Sequence, residues 1–344
     1  MNRTALMFAA ILLGSSGHAA EWRQLPSLPD REGFAGMLAG VSHGALVAAG
    51  GANFPGKKPW EGGKKAWYDT IYVLDQPAGQ WKVAGRLPHA IGYGVSVTHQ
   101  NSVVCVGGSD ADRHYPDAFR LQWKEGKIDT QPLPSFPCPV ANACGAVVGD
   151  MLYIAGGQAK PDATETLNKA YRIDLGAATP AWQRIDGCPG GGRMLAAAAA
   201  FDGAFWVVGG VDLVSLGDRQ AVRRYLADAW RYEPDQGWKR VADLSTPVAA
   251  VPSPAPADAN GFYILGGDDG SQVGLPPERH RGFSNRVLRY DLLSDRWLEA
   301  AAIPAPRVTA PLVAWNGSFV ILSGEARPGI RSPEVWSMTP GNQE

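Results

Sequence analysis

The chain has 344 residues, 45% of them hydrophobic and 19% charged, with 32 Lys and Arg against 33 Asp and Glu for a formal net charge of −1. That balance supports a large apolar core in a folded protein, and the absence of any basic stripe excludes the electrostatic footprint of a nucleic-acid binder. The 42 glycines and 27 prolines imply many turns, with no low-complexity linker or heptad run between them.

Residues 1–20 read as an export signal. Arg3 supplies the positive start, Ala5 to Leu13 an apolar run too short to cross a bilayer, and Gly17-His18-Ala19 a small-x-small cleavage site. Cleavage is expected after Ala19 or Ala20. The mature protein is then periplasmic or secreted, not held in a membrane, and residues 21–344 form one domain.

Glu21-Trp22-Arg23-Gln24-Leu25 follows as a short strand opened by a tryptophan. Beyond it, apolar runs end in glycine pairs: Gly50-Gly51, Gly107-Gly108, Gly156-Gly157, Gly209-Gly210 and Gly266-Gly267, with Ser323-Gly324 as a degenerate sixth. Recurrence about every 50 residues marks repeated supersecondary units with the spacing of kelch-type blades. Ahead of each pair two apolar runs flank a tight turn: Ser42-His43-Gly44, Gln100-Asn101-Ser102, Gly149-Asp150, Asp202-Gly203, Asn260-Gly261 and Asn316-Gly317. Most of these suit two-residue hairpins because their central residues tolerate positive φ. A third strand follows most pairs, carrying Tyr72, Phe119, Tyr171, Tyr232 or Tyr290, and a fourth opens at Trp81, Trp182, Trp238 or Trp297, with Trp123 displaced in the second unit.

Four strands in each of six units predict an all-β, six-bladed kelch-type β-propeller. The last unit supplies the hairpin from Val308 to Ser323 and a strand near Val335-Trp336, then stops short of its fourth strand. Glu21–Leu25 is expected to supply that strand, with Trp22 standing where Trp81 and Trp297 stand in their units, so that no blade edge is left open.

Cys105 and Cys144 fall inside apolar strands and read as small buried hydrophobes. Cys138 and Cys188 each precede a proline in loops entering adjacent blades; in an exported protein they form a candidate disulfide, with two free thiols as the alternative. The six histidines are scattered, and neither His-x-His nor Cys-x-x-Cys occurs, so no metal or cofactor motif is present. Asp110 with Asp112, and Asp268 with Asp269, offer oxygen ligands for a cation or else are solvated acidic loops. Gly190 to Gly192 lacks the following Lys-Ser/Thr of a phosphate loop.

In a four-stranded antiparallel blade, the loop between strands two and three shares a face with the loop leading into the next blade. The hairpins at Asn101, Asn260 and Asn316 point the other way. Chemistry is therefore expected just after each glycine pair and just before each innermost strand. Glu325 stands out there, with Arg327 and Arg331 close in sequence: a carboxylate among cations, partly shielded from water, makes a proton-transfer group beside an anion clamp. A solvated loop glutamate is the plainer alternative.

The segments Gly324-Glu325-Ala326-Arg327-Pro328-Gly329-Ile330-Arg331, Ser332 to Val335, Gly33 to Gly36 with Gly50 to Phe54, and Gly92-Tyr93-Gly94-Val95-Ser96 together resemble the kelch-type N-acetylneuraminate epimerases, or sialic acid mutarotases. The resemblance runs along the mature chain in rotated blade order, as in a cyclically permuted branch. It implies a small-molecule sugar substrate, no cofactor, Glu325 as proton acceptor, Arg331 as its catalytic partner, Arg193 as a substrate contact, and Asn53 and Tyr93 lining the site. Ile91 departs from the family, which carries a basic residue in the region before Tyr93. A non-catalytic kelch module that binds glycan or protein through the same face is the alternative; a copper-radical oxidase would need a histidine grouping that this chain lacks.

Overall fold

The computed structural model describes residues 20–339 with residue 219 excepted, so the expected export segment lies, but for Ala20, outside the described residues. The fold is all-β. Six four-stranded antiparallel sheets account for most of the strands. In chain order, the first holds Leu38–Ser42, Ala45–Ala49, Thr70–Leu74 and Lys82–Arg86; the second Val95–His99, Ser102–Val106, Ala118–Lys124 and Lys127–Pro132. The third holds Cys144–Val148, Met151–Ala155, Ala170–Asp174 and Gln183–Ile185; the fourth Ala197–Phe201, Ala204–Gly217, Gln220–Glu233 and Gly237–Val241. The fifth holds Ala257–Asp258, Gly261–Leu265, Arg286–Asp291 and Arg296–Ala302; the sixth Leu312–Trp315, Ser318–Leu322, Val335–Thr339 and, as its outer strand, Glu21–Leu25. Glu21 pairs with Thr339 and Leu25 with Val335, the expected joining of the first strand to the last.

The glycine pairs are explained by crowding as well as by conformation. Both members of each full pair have positive φ, and in the degenerate pair Ser323 (φ 56°) and Gly324 (φ 97°) adopt the same path. A Cβ on Gly50, Gly107, Gly156 or Gly209 would lie 2.2–2.4 Å from the carbonyl oxygen of Ile91, Val140, Arg193 or Val248, each in the segment leading into the next sheet. The second member then donates its N–H to that same carbonyl, from Gly51, Gly108, Gly157 and Gly210 at 2.7–2.8 Å. Gly324 donates likewise to Phe34 at 2.8 Å, which ties the sixth sheet to the first. Ser323 tolerates its position because its hydroxyl accepts from the Phe34 N–H and donates to the Ser332 carbonyl.

A second set of left-handed residues stands just ahead of the innermost strands: Gly36, Tyr93, Asn142, Leu195, Ala250 and Thr309, with φ of 50–68°. The N–H of Tyr93 donates to Gly36, Asn142 to Tyr93, Leu195 to Asn142, Ala250 to Leu195 and Thr309 to Ala250, at 2.8–2.9 Å, and Gly36 donates to Thr309 at 2.7 Å. The cycle of six hydrogen bonds closes on itself. The apolar core is divided in the same way, with one buried cluster between each pair of successive sheets and one between the sixth sheet and the first.

The tryptophans at the start of the fourth strands bridge sheets. The indole N–H groups of Trp81, Trp182, Trp238 and Trp297 donate at 2.8 Å to Pro26, Pro134, Asp186 and Ala242, each in the segment leading out of the preceding sheet. Trp22 takes the equivalent place in the core of the last interface, yet its indole nitrogen is buried without a partner. The turns vary too. His43-Gly44, Asp202-Gly203 and Asn316-Gly317 have both φ values positive. Asn260-Gly261 has neither, because the Asp258 carboxylate accepts from both of their N–H groups and holds the turn by itself.

The four cysteines are free thiols. Cys138 packs at the interface of the second and third sheets, whereas burial pushes the Cys188 thiol up to about 11 at a place where Arg193 and Asp228 act on it. Of the two alternatives for Cys138 and Cys188, the structure has the free thiols and not the bridge.

Because crowding adds to conformational cost at the pairs, Gly156→Ala should lower unfolding free energy by about 3 kcal/mol, against about 1 kcal/mol for Gly149→Ala. The Gly149 site is left-handed as well but has open space where the new methyl would stand. Urea midpoints of the two variants test the difference; equal losses would refute the crowding argument.

Candidate functional site

The loops that follow the glycine pairs border one cavity of about 890 Å³. Five residues of the hydrogen-bonded cycle, Tyr93, Asn142, Leu195, Ala250 and Thr309, border both this cavity and a second, smaller one. The hairpin turns at Asn260 and Asn316 border other cavities.

Two short ribbons build part of the wall. Glu325–Arg327 pairs with Ile330–Arg331 beyond the sixth sheet, and Ala52–Asn53 pairs with Ala66–Trp67 beyond the first. They touch: the Arg331 guanidinium lies 4.8 Å from the Phe54 ring centroid, and Gly329 sits so close to Pro59 and Trp60 that a Cβ would meet them at 3.0 and 2.8 Å. Antiparallel register sets Glu325 directly opposite Arg331, the arrangement in which opposite charges on one face meet. Glu325 Oε1 accepts from the Gly329 N–H at 2.6 Å and from Arg331 Nη1 at 3.1 Å. No protein donor reaches Oε2 among the described residues. Both side chains are largely buried, 17% and 6% exposed, and both line the cavity.

Tyr93 also lines it. Its ring covers Gly36 so closely that a Cβ there would lie 2.6 Å away, which explains a glycine at that point of the cycle. Glu325, Arg331 and Tyr93 are therefore brought together around one cavity.

Arg193 and Asn53 are not cavity-lining. Arg193 is 1% exposed and its guanidinium is taken up by Asp228, at 3.0 and 2.9 Å, and by the Gly209 carbonyl. A buried guanidinium needs such compensation, and it found a carboxylate inside the fold instead of a ligand. Burial alone would raise the Asp228 pKa, but hydrogen bonds and charge from Arg193, with the Trp230 indole, hold it below the usual carboxylate range. Asn53, also 1% exposed, donates to the Gly33 carbonyl at 2.9 Å and accepts from the Tyr68 hydroxyl at 2.9 Å, so it anchors the first ribbon from behind. Ile91 is buried in the core between the first and second sheets, away from the lining.

Several lining residues escaped the sequence reading. Lys65 places its ammonium 4.2 Å from the Tyr93 ring centroid and 4.8 Å from that of Trp67. His114 is buried with Nδ1 2.9 Å from the Gln158 carbonyl; a carbonyl can only accept, so Nδ1 carries the proton and Nε2 is the acceptor. Burial lowers its pKa, against the opposite pull of that carbonyl and Asp110. Arg223 and Tyr225 come from an extended hairpin, because Ala204–Gly217 and Gln220–Glu233 run on past Gly209-Gly210 through a bulge. Alternation beyond the pair was the legible signal: Val211, Leu213, Ala221, Arg223 and Tyr225 face the cavity, while Asp212 binds Arg224 and Thr166. The acidic loops are internally satisfied. Asp110 accepts from the N–H groups of Asp112 and Arg113 and from the Tyr115 hydroxyl, and Asp268 from Tyr225 and Gly270.

If Arg193 is structural, Asp228→Asn should destabilise the protein at neutral pH by about 3 kcal/mol. A carboxylate depressed by folding contributes stability above its unfolded pKa and loses it as pH falls through the folded value, so the gap to wild type should begin to narrow below about pH 4. Denaturation at pH 7 and pH 3 measures this; a gap independent of pH would overturn the ion-pair account.

The sequence profile described as N-acetylneuraminate epimerase matches residues 4–130 and 133–274, so Glu325 and Arg331 lie beyond the matched stretch. The N-acetylneuraminate epimerase of Yersinia enterocolitica is 37% identical over 37% of this chain and 36% of its own length. That of Yersinia pestis (strain Pestoides F) is 33% identical over 37% and 35%, and that of Haemophilus influenzae (strain 86-028NP) 42% identical over 26% and 27%. The chain spans about a third of the length of the first two of these relatives, and less of the third. With more than half of its residues matched by the profile, this chain belongs to the N-acetylneuraminate epimerase family.

Proposed function

We propose that this protein exchanges the anomers of N-acetylneuraminate, or of a closely related acid sugar, by general acid–base ring opening. The six sheets act as the blades of a closed kelch-type β-propeller formed by residues 21–344, whose central cavity is the active site. The closed cycle of backbone hydrogen bonds and the six inter-sheet clusters support the architectural part. The observation that carries the chemical part is the Glu325 carboxylate, oriented through Oε1 by Gly329 and Arg331 while Oε2 is left without a protein donor at the cavity wall.

Oε2 removes the proton of the anomeric hydroxyl. Its electron pair forms the carbonyl, the ring C–O bond breaks, and the ring oxygen takes up a proton. Rotation of the freed carbonyl and the reverse sequence close the ring on the other face, with no net change of protons or electrons. Arg331 fixes the base, and Tyr93 forms part of the surface on which the sugar turns. Asn53 and Arg193 serve this site through the scaffold. One positioned acid–base group typically supplies about 10²- to 10⁴-fold, a suitable scale for a reaction that already proceeds in water.

Glu325→Gln keeps shape and removes the base, so acceleration should fall by about two orders of magnitude or more. Arg331→Lys keeps the charge but loses the planar fork, and should also lower activity. Proton NMR of freshly dissolved α-anomer, with wild type, each variant and no protein, measures the decay. Wild-type decay at the spontaneous rate would remove the activity, and an unimpaired Glu325→Gln would remove the residue assignment.

Export completes the proposal. The secreted or periplasmic form should begin at Ala20 or Glu21, and intact-mass measurement of protein recovered outside the cytoplasm checks it; a mass that retains residues 1–19 would refute processing at this site.

A further inference from the structure

On the proposed reading, the sugar's carboxylate hangs from the same carbon as the anomeric hydroxyl. When that hydroxyl approaches Glu325, two negative carboxylates come within a few ångströms of each other, an arrangement that disfavours both ionised forms unless cations stand beside them. Arg331 already spends Nη1 on Glu325 and stacks on Phe54. A second cation on the same wall would offset the added charge.

Lys65 is such a cation. It lies on the wall between the ribbon of the first sheet and Tyr93, and it lines the same cavity as Glu325 and Arg331. Its ammonium stands over two aromatic rings, 4.2 Å from Tyr93 and 4.8 Å from Trp67. Aromatic faces hold a cation in place without neutralising it. Among the described residues no carboxylate pairs with it, whereas the aspartates of the cavity lining are engaged elsewhere: Asp110 with Tyr115, Asp162 with Lys160, and Asp268 with Tyr225. Lys65 is thus a fixed, half-buried charge facing the cavity with no anion of its own.

We propose that Lys65 binds the carboxylate of the sugar and determines the preference for an acid sugar over a neutral one. This rests on the mutarotase reading for its substrate class but not for its test. Lys58 and Lys64, close in sequence, do not line the cavity. Lys65 alone on the first ribbon combines the charge, the aromatic seat and the exposure to the ligand.

Binding of N-acetylneuraminate and of its C1 methyl ester is to be measured by calorimetry on wild type, Lys65→Met and Lys65→Arg, with thermal unfolding of each as a folding control. Wild type should prefer the acid. Lys65→Met, which keeps the apolar stem over the rings, should weaken the acid by about tenfold or more and leave the ester unchanged, as expected for loss of one charged contact. Lys65→Arg should restore most of the preference. In the exchange assay the loss should fall on KM more than on kcat. Equal weakening of acid and ester, an unchanged preference in Lys65→Met, or no binding of the acid by wild type overturns the assignment. Acid binding that depends on Lys65 without accelerated anomer exchange would instead sink the mutarotase reading and leave the Lys65 site in place.

Discussion

The close approach of the first four glycine pairs to the carbonyl leading into the next sheet is the contact on which everything else depends. A methyl group on Gly50, Gly107, Gly156 or Gly209 would overlap that carbonyl, so at these four positions glycine lets neighbouring sheets approach to hydrogen-bonding distance. Once they do, the cycle from Gly36 through Thr309 can close. Its five non-glycine members take left-handed conformations that ordinarily cost about 1–2 kcal/mol each. Each offsets that cost with a backbone hydrogen bond to the preceding sheet and with burial at the sheet interfaces.

The same geometry makes the cavity. The ribbon carrying Glu325 and Arg331 and the one carrying Asn53 follow Ser323-Gly324 and Gly50-Gly51 directly, and they touch. The cycle sets the position of Tyr93 on the same lining. Residues distant in sequence, Lys65, Tyr93, Glu325 and Arg331, therefore share one wall, held by backbone constraints and not by flexible side chains. This is the preorganisation that acid–base chemistry demands of a site.

Charge is distributed with a clear division. Arg193 with Asp228 is a buried pair, the buried Arg307 pairs with the partly exposed Glu334, and the acidic loops are capped by their own N–H groups and tyrosines. Open toward the cavity are Oε2 of Glu325 and the ammonium of Lys65, with Arg223 and His114 also on its lining. A site in which most ionisable groups are already partnered, and a base and a cation are not, is suited to binding a small anion and moving a proton on it.

Much of this was legible in the sequence because it is local or periodic. The glycine pairs, the turn dipeptides, the third-strand aromatics and the missing last strand are backbone and burial signals within a few residues, and they specify six repeated four-stranded units and the pairing of Glu21–Leu25 with Val335–Thr339. Glu325 and Arg331 were legible for a related reason: they face each other across a two-residue turn region in one ribbon. Arg193 and Asn53 were misplaced because their partners, Asp228 and Tyr68, come from other strands, and only packing decides whether a guanidinium or amide turns inward to a carboxylate or outward to a ligand. Lys65, His114 and Arg223 were missed for the same reason, since charge, aromatic seat and cavity come from different sheets. Cys138 and Cys188 looked equivalent along the chain, yet both are free thiols, because pairing depends on how the sheets are arranged in space. Sequence determined the repeated unit and its ends because turns and crowding act locally; tertiary structure alone decided which charges meet, because electrostatic partners are chosen by proximity in space.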